Sequence, residues 1–160
     1  NRINEGIKTI VVRPGNLYGP HDKFDWKKSK VIPALIRRAV EKHDPFVVWG
    51  DGMDLKDFLY IDDYIDGMLL AMEKMHEFQP INIANGQAMT IRDVLQEILI
   101  AADYQVAPVE YDASKPTMIP KRMIDISLAN ELLGWSPKVK FEELVSIMVK
   151  ADYDKINKYA

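Results

Sequence analysis

The stretch Thr9-Ile10-Val11-Val12-Arg13-Pro14-Gly15-Asn16-Leu17-Tyr18-Gly19-Pro20 constrains the fold of this chain more than any other. An apolar, β-branched run that breaks at once into Pro, Gly and Asn has the pattern of a buried strand delivering a polar loop. In open α/β sheets that strand end is where ligands bind. Such a sheet also needs a glycine-rich turn to hold phosphates, and none stands ahead of Thr9. Asn1–Glu5 instead reads as the end of a helix closed by Gly6. The expectation is a chain that starts within a domain and carries its later part.

Beyond this point strands and helices alternate, which predicts an α/β fold. The first strand is expected over Lys8–Arg13 and a long loop over Pro14–Lys30. Ile32, Leu35, Ile36 and Ala39 recur at helical spacing and predict a helix from about Val31 to Lys42, with Pro33 tolerated in its first turn. Phe46–Trp49 reads as a strand that reaches the turn Gly50-Asp51-Gly52, with Lys56–Tyr60 returning as a second strand. Asp62 or Asp63 is expected to cap a helix whose core face is Ile65, Met68, Leu69, Met72 and Met75. Ile81–Ile83 is a short strand, and Thr90 with Asp93 forms a capping box for a helix over Ile91–Ala102. A strand near Val106–Tyr111, a brief extended Met123–Asp125, a helix from Ser127 to Gly134 and a last helix over about Phe141–Asn157 complete the order.

Composition narrows the chemistry. A net charge of −3 over 160 residues gives no reason to expect nucleic acid as a partner, although a few cations in one cleft suffice for a small anion. The absence of cysteine excludes a disulfide, a thiolate nucleophile and a cysteine metal site. No apolar run is long enough to span a membrane, so no membrane partner is expected. His21, His43 and His76 lack metal-ligand spacing, and Asp62, Asp63 and Asp66 are explained by a helix start, so no metal is expected.

Four motifs in order carry a family resemblance. They are Val12–Pro20; Trp49-Gly50-Asp51-Gly52 with Asp57-Phe58-Leu59-Tyr60-Ile61-Asp62-Asp63; Ile81-Asn82-Ile83-Ala84-Asn85-Gly86; and Arg122-Met123-Ile124-Asp125 with Leu133-Gly134-Trp135 and Pro137. Together the chain resembles the extended short-chain dehydrogenase/reductase family of NAD(P)-dependent nucleotide-sugar epimerases and dehydratases. Tyr18–Phe24, Ser29–Arg38 and Asp112–Pro116 are similar in detail to the branch that epimerises and reduces GDP-4-keto-6-deoxymannose. A nucleotide-sugar 4-epimerase or 4,6-dehydratase is the enzymatic alternative, and a non-catalytic nucleotide-sugar-binding or partner-binding domain the alternative of another class.

The resemblance implies the C-terminal portion of a Rossmann-type parallel sheet, with late strands near residues 8–13 and 81–84. A small substrate-binding lobe comes from the remainder, and the N-terminal dinucleotide-binding half is missing. It further implies NADP or NAD as cofactor, a nucleotide-diphosphate sugar as partner, a homodimeric parent and a cytoplasmic location. Pro14, Gly15, Asn16, Leu17 and Lys30 fall at cofactor positions, and Asn16, Arg38, Trp49, Lys56 and Arg122 at substrate positions. Lys30 stands where the pattern has a proton-donating His, and Lys56 where it has an Arg.

Each residue also has a plainer reading: a turn asparagine, a solvated cation, a core tryptophan. Arg37 and Arg38 share a helix with an apolar face, so at least one must point away from the core. The family's proton-exchanging Tyr-x-x-x-Lys is mimicked only by Tyr111 and Lys115. Pro116 directly after the lysine argues against the helix that pair requires, so the match is read as coincidence.

Overall fold

The computed structural model describes residues 9–115 and 119–156, with side chains through residue 150. The predicted helix end at Asn1–Gly6 lies outside the described residues, as does Lys8. In order the elements are β1 (Val12–Pro14), β2 (Asn16–Tyr18), α1 (Val31–Val40), β3 (Phe46–Trp49), β4 (Leu55–Tyr60) and α2 (Ile61–Lys74). There follow β5 (Ile81–Ile83), β6 (Ala88–Thr90), α3 (Ile91–Ala101), β7 (Val109–Asp112), α4 (Ser127–Leu133) and α5 (Phe141–Ile156). The fold is mixed α/β with parallel strand pairs. It divides into two compact units: one holds the chain to Leu17, Asp57–Ala88 and Met123–Val139, the other Tyr18–Lys56, Met89–Arg122 and the chain from Lys140.

In the first unit β1 and β5 pair in parallel, Val12 opposite Ile81 and Pro14 opposite Ile83. Leu59, Ala71, Met75, Ile81, Ile83, Ala129, Leu133 and Trp135 form its core. Gly67 lies in the middle of α2 because a Cβ there would come within 2.8 Å of Ile83 Cγ2 and 3.0 Å of Trp135 Cε2. A glycine weakens a helix by about 1 kcal/mol relative to alanine, and close packing on the strand offsets that cost.

This packing corrects the predicted core face of α2. Asp63, Gly67 and Ala71 are buried, whereas Ile65, Leu69 and Met72 are exposed, Met72 by 64%; of the predicted stripe Met75 alone is buried. Neither Asp62 nor Asp63 is the cap, since Tyr60 occupies that position. The Asp63 carboxylate instead accepts from the backbone N–H groups of Lys138 and Val139, both at 3.0 Å. Its own carbonyl accepts from Trp135 Nε1 at 3.2 Å.

In the second unit α1, α3 and α5 pack on one another, with Ile32, Leu35, Ile36, Val94, Leu95, Ile98, Leu144, Val145 and Met148 buried. β3 runs parallel to β7, Phe46 opposite Val109 and Trp49 opposite Asp112. The return of Lys56–Tyr60 onto Phe46–Trp49 is therefore not made: a strand pairing is a long-range choice, and β3 takes β7. Gly50 and Gly52, with φ of 80° and 78°, turn the chain away at this point. The backbone carbonyls of Gly52 and Asp54 then accept from the free N–H groups of Arg92 and Ile91 at the head of α3. The Thr90–Asp93 capping box forms as its spacing predicts.

Boundaries moved where elements are short. β1 is Val12–Pro14, not residues 8–13; the predicted Pro14–Lys30 loop contains β2; β6 was not foreseen; β7 starts at Val109; Met123–Asp125 forms no strand. Three residues carry no period, so only the neighbouring chain defines such strands. No helix among the described residues is long and apolar enough to cross a membrane.

Candidate functional site

In the first unit a single carboxylate holds the loop after β5, and the segment after β1 packs beside it. Asp57 on β4 is fully buried and accepts from the backbone N–H of Asn85 at 2.8 Å and of Gly86 at 2.8 Å. Asn85 returns a bond from its side-chain amide to Phe58 O at 3.0 Å. A Cβ on Gly15 would stand 2.9 Å from Asp57 Oδ1 and 3.2 Å from Ala84 Cβ, so glycine is what lets the loop approach the carboxylate. Asn16 donates its side-chain amide to Asp57 O at 2.8 Å, and the Gly15 N–H goes to Ile83 O at 3.2 Å.

The loop Pro14–Leu17 is thus fixed, and much of its donor capacity is spent internally. Pro14 has no N–H, the Gly15 N–H is taken, and Asn16 is left chiefly with its carboxamide oxygen. These residues can line one edge of a ligand.

The second unit carries the cations. Lys30 is exposed at the head of α1, with no side-chain partner among the described residues. Arg37 and Arg38 divide as the helix pattern requires. Arg37 is 7% exposed and bonds Phe24 O and Glu41 Oε1, both at 2.7 Å. Arg38 is half-buried and makes one long bond, 3.4 Å, to Ala34 O. Burial holds its guanidinium below the ordinary arginine value, with Glu41 opposing. Burial pushes the Glu41 carboxyl up, but hydrogen bonds from Arg37 and His43 outweigh it and hold the group low.

Lys56 is engaged: its ammonium bonds Asp54 Oδ2 at 3.1 Å and the carbonyl of Ile119. Next to it Leu55 bridges Lys121 in parallel, and the Arg122 N–H donates to Leu55 O at 2.9 Å. Arg122 is therefore fixed by its backbone, while its guanidinium is exposed and without a partner among the described residues. Trp49 is 60% exposed at the end of β3, so it fills no core. Among the described residues no hydrogen bond, ion pair or ring contact joins Arg38, Trp49 and Arg122 to one another.

Tyr111 lies in strand β7 and Lys115 in the turn that follows, so they do not share a helix face. The Tyr111 ring is packed against Gly52 and lies under the Arg92 guanidinium at 4.9 Å. Tyr60 is no activated phenol either. Its hydroxyl donates to Asp62 at 2.6 Å, and that bond, with burial, pushes it up to about 12. No cluster of three His, Asp or Glu among the described residues could hold a metal.

Asp57 and Trp26 are the residues that sequence reasoning passed over. A carboxylate directly ahead of the apolar run Phe58-Leu59 was the available signal for Asp57, since a buried charge must be fully bonded. Trp26 sits in a polar loop with no period to mark it.

Comparison with known proteins adds the following. The model of the NAD dependent epimerase/dehydratase family matches residues 2–84. The chain is 36% identical over 146 residues to a probable GDP-L-fucose synthase 1 of Oryza sativa subsp. japonica, covering 89% of this chain and 44% of that protein. It is 39% identical over 144 residues to the GDP-L-fucose synthase of Escherichia coli strain K12, covering 82% and 44%. Among solved structures it is similar to UDP-glucose 4-epimerase from Thermotoga maritima, crystallised with UDP-glucose. The TM-score is 0.84 at 29% identity, over 94% of this chain and 48% of that one. It is also similar to a GDP-L-fucose synthetase from Naegleria fowleri, with a TM-score of 0.82 at 26% identity, over 91% and 46%. The chain spans less than half the length of these relatives.

Proposed function

The chain belongs to the NAD dependent epimerase/dehydratase family, and from that premise we propose that it is the nucleotide-sugar-binding portion of an NAD(P)-dependent epimerase/reductase acting on GDP-4-keto-6-deoxymannose. The observation that carries the reading is Arg122, a guanidinium anchored by its backbone and left free to face a ligand. A guanidinium offers paired donors to a diphosphate, which is the group common to every nucleotide-diphosphate sugar. Arg38 is the second anion ligand, Trp49 packs against the sugar or base, and Asn16 orients sugar and nicotinamide. Pro14, Gly15 and Leu17 line the cofactor's edge. Lys56 contributes charge from its fixed position, and Lys30 supplies an electrostatic contact to cofactor or substrate. GDP rather than UDP is favoured by the similarity to GDP-L-fucose synthases.

Titration calorimetry of the chain with GDP, GDP-mannose and UDP-glucose tests this. Preferential binding of the guanine nucleotides is expected. Preference for UDP-glucose would favour a 4-epimerase, and no binding of any of them would sink the reading. The chain by itself is expected to oxidise no NADPH with a 4-keto nucleotide sugar, since it contains neither a phosphate-binding glycine turn nor a helical Tyr-x-x-x-Lys. Measurable turnover would overturn that assignment and return attention to Tyr111 and Lys115.

Lys30→Met is expected to raise the Kd for the GDP sugar about 2- to 5-fold, the weight of an exposed charge contact, with the difference shrinking as salt is added. In the parent enzyme the same change should leave solvent-deuterium exchange per bound substrate intact. Complete loss of exchange would instead make Lys30 the epimerisation acid.

A further inference from the structure

The loop ahead of α1 contains a tryptophan whose contacts do not serve the core. Asp25 closes its turn, accepting from Lys27 N at 2.9 Å through its carboxylate and from Ser29 N at 2.8 Å through its carbonyl. Trp26, projected from that turn, is 42% exposed. Two cations of α1 lie over its ring: the Arg37 guanidinium is 4.4 Å from the centroid and that of Arg38 is 5.0 Å. The His43 ring stands 5.5 Å away, tilted by 42°.

The two arginines are held very differently. Arg37 is locked by Phe24 O and by Glu41, whose other oxygen bonds His43 Nε2 at 2.8 Å. Arg38 makes no ion pair and no short hydrogen bond among the described residues: it has the long bond to Ala34 O, the ring, and the field of Glu41. A guanidinium held over an indole by its charge spends no N–H donor on an oxygen acceptor there, so those donors stay available to a ligand. An arginine otherwise loses about 2 kcal/mol of rotamer freedom when a ligand orders it.

We propose that Trp26 is a positioning residue for anion binding: fixed against the locked Arg37, it holds the Arg38 guanidinium in place for a diphosphate. This rests on the assignment of Arg38 as an anion ligand made above. The ring orders Arg38 before the ligand arrives, so less of the binding free energy goes into ordering it.

The test uses the 160-residue chain, with GDP as probe. Trp26→Ala should weaken GDP binding about 5-fold, within the range of a cation–π contact, and Trp26→Phe should restore most of it. In the Arg38→Ala background, Trp26→Ala should have no further effect. A ligand-free readout is the Nε–Hε resonance of Arg38 in ¹⁵N-arginine-labelled protein. It should move on Trp26→Ala as the ring current is lost, and remain displaced in Trp26→Phe. An unmoved Arg38 resonance, or the same loss of affinity with and without Arg38, overturns the positioning role. A resonance that moves while Arg38→Ala binds GDP like the wild type overturns the anion-ligand assignment instead, so the two failures are told apart.

Discussion

Replacing Asp57 with alanine is expected to cost the unit that contains it about 3–5 kcal/mol, because two charge-assisted hydrogen bonds are lost and their part-buried donors are left without an acceptor. The carboxylate is fully buried and accepts from two consecutive backbone N–H groups, Asn85 and Gly86, each at 2.8 Å. No alanine can reach them, and water enters only if the loop after β5 opens. Asp57→Asn keeps the shape but turns one acceptor into a donor facing an N–H, so it rescues only part of the loss. Urea unfolding gives the energy, and hydrogen exchange at Asn85 and Gly86 gives the location. If those two amides stay protected and the unfolding midpoint is unchanged in Asp57→Ala, the carboxylate is not what holds the loop. The effect should extend to the segment beside it, since Gly15 packs within 3.2 Å of both Asp57 and Ala84 by the measure of an added Cβ.

Arg122→Ala is expected to weaken nucleotide-diphosphate binding by about 1.5–3 kcal/mol, roughly 10- to 150-fold in Kd, the weight of a hydrogen bond to a charged group. The anchoring bond to Leu55 O is made by the backbone and survives the substitution, so the fold should be unaffected. Arg122→Lys should fall between the two, keeping the charge and losing the planar fork. Calorimetry with GDP measures the series, and thermal melts check that each variant is folded. An affinity unchanged in Arg122→Ala would remove the observation on which the proposed function stands.

The two predictions differ in how visible their residues were beforehand. Arg122 was singled out by the motif Arg122-Met123-Ile124-Asp125 within a family pattern. Asp57 lies in an equally visible motif, yet nothing local says that its partners are the amides of residues 85 and 86. The helical arginines were half legible: the apolar stripe required one of them to turn outward. Which one became the locked member depended on Phe24 and Glu41.

Elements closed by nearby residues were determined by the sequence itself. The Thr90–Asp93 capping box, the Gly134 stop of α4 with φ of 63°, strand β3 and the buried stripe of α5 all follow from groups within a few positions of each other. Tertiary structure alone decided that β3 pairs with β7 and that β2 and β6 exist as strands. It also decided that α2 buries Gly67 and Ala71 while Leu69 and Met72 face outward. The reason is physical. Hydrophobicity favours the larger side chains for a core face, but a helix that lies close on a strand and a tryptophan needs small ones, and only the neighbouring chain says how close it lies.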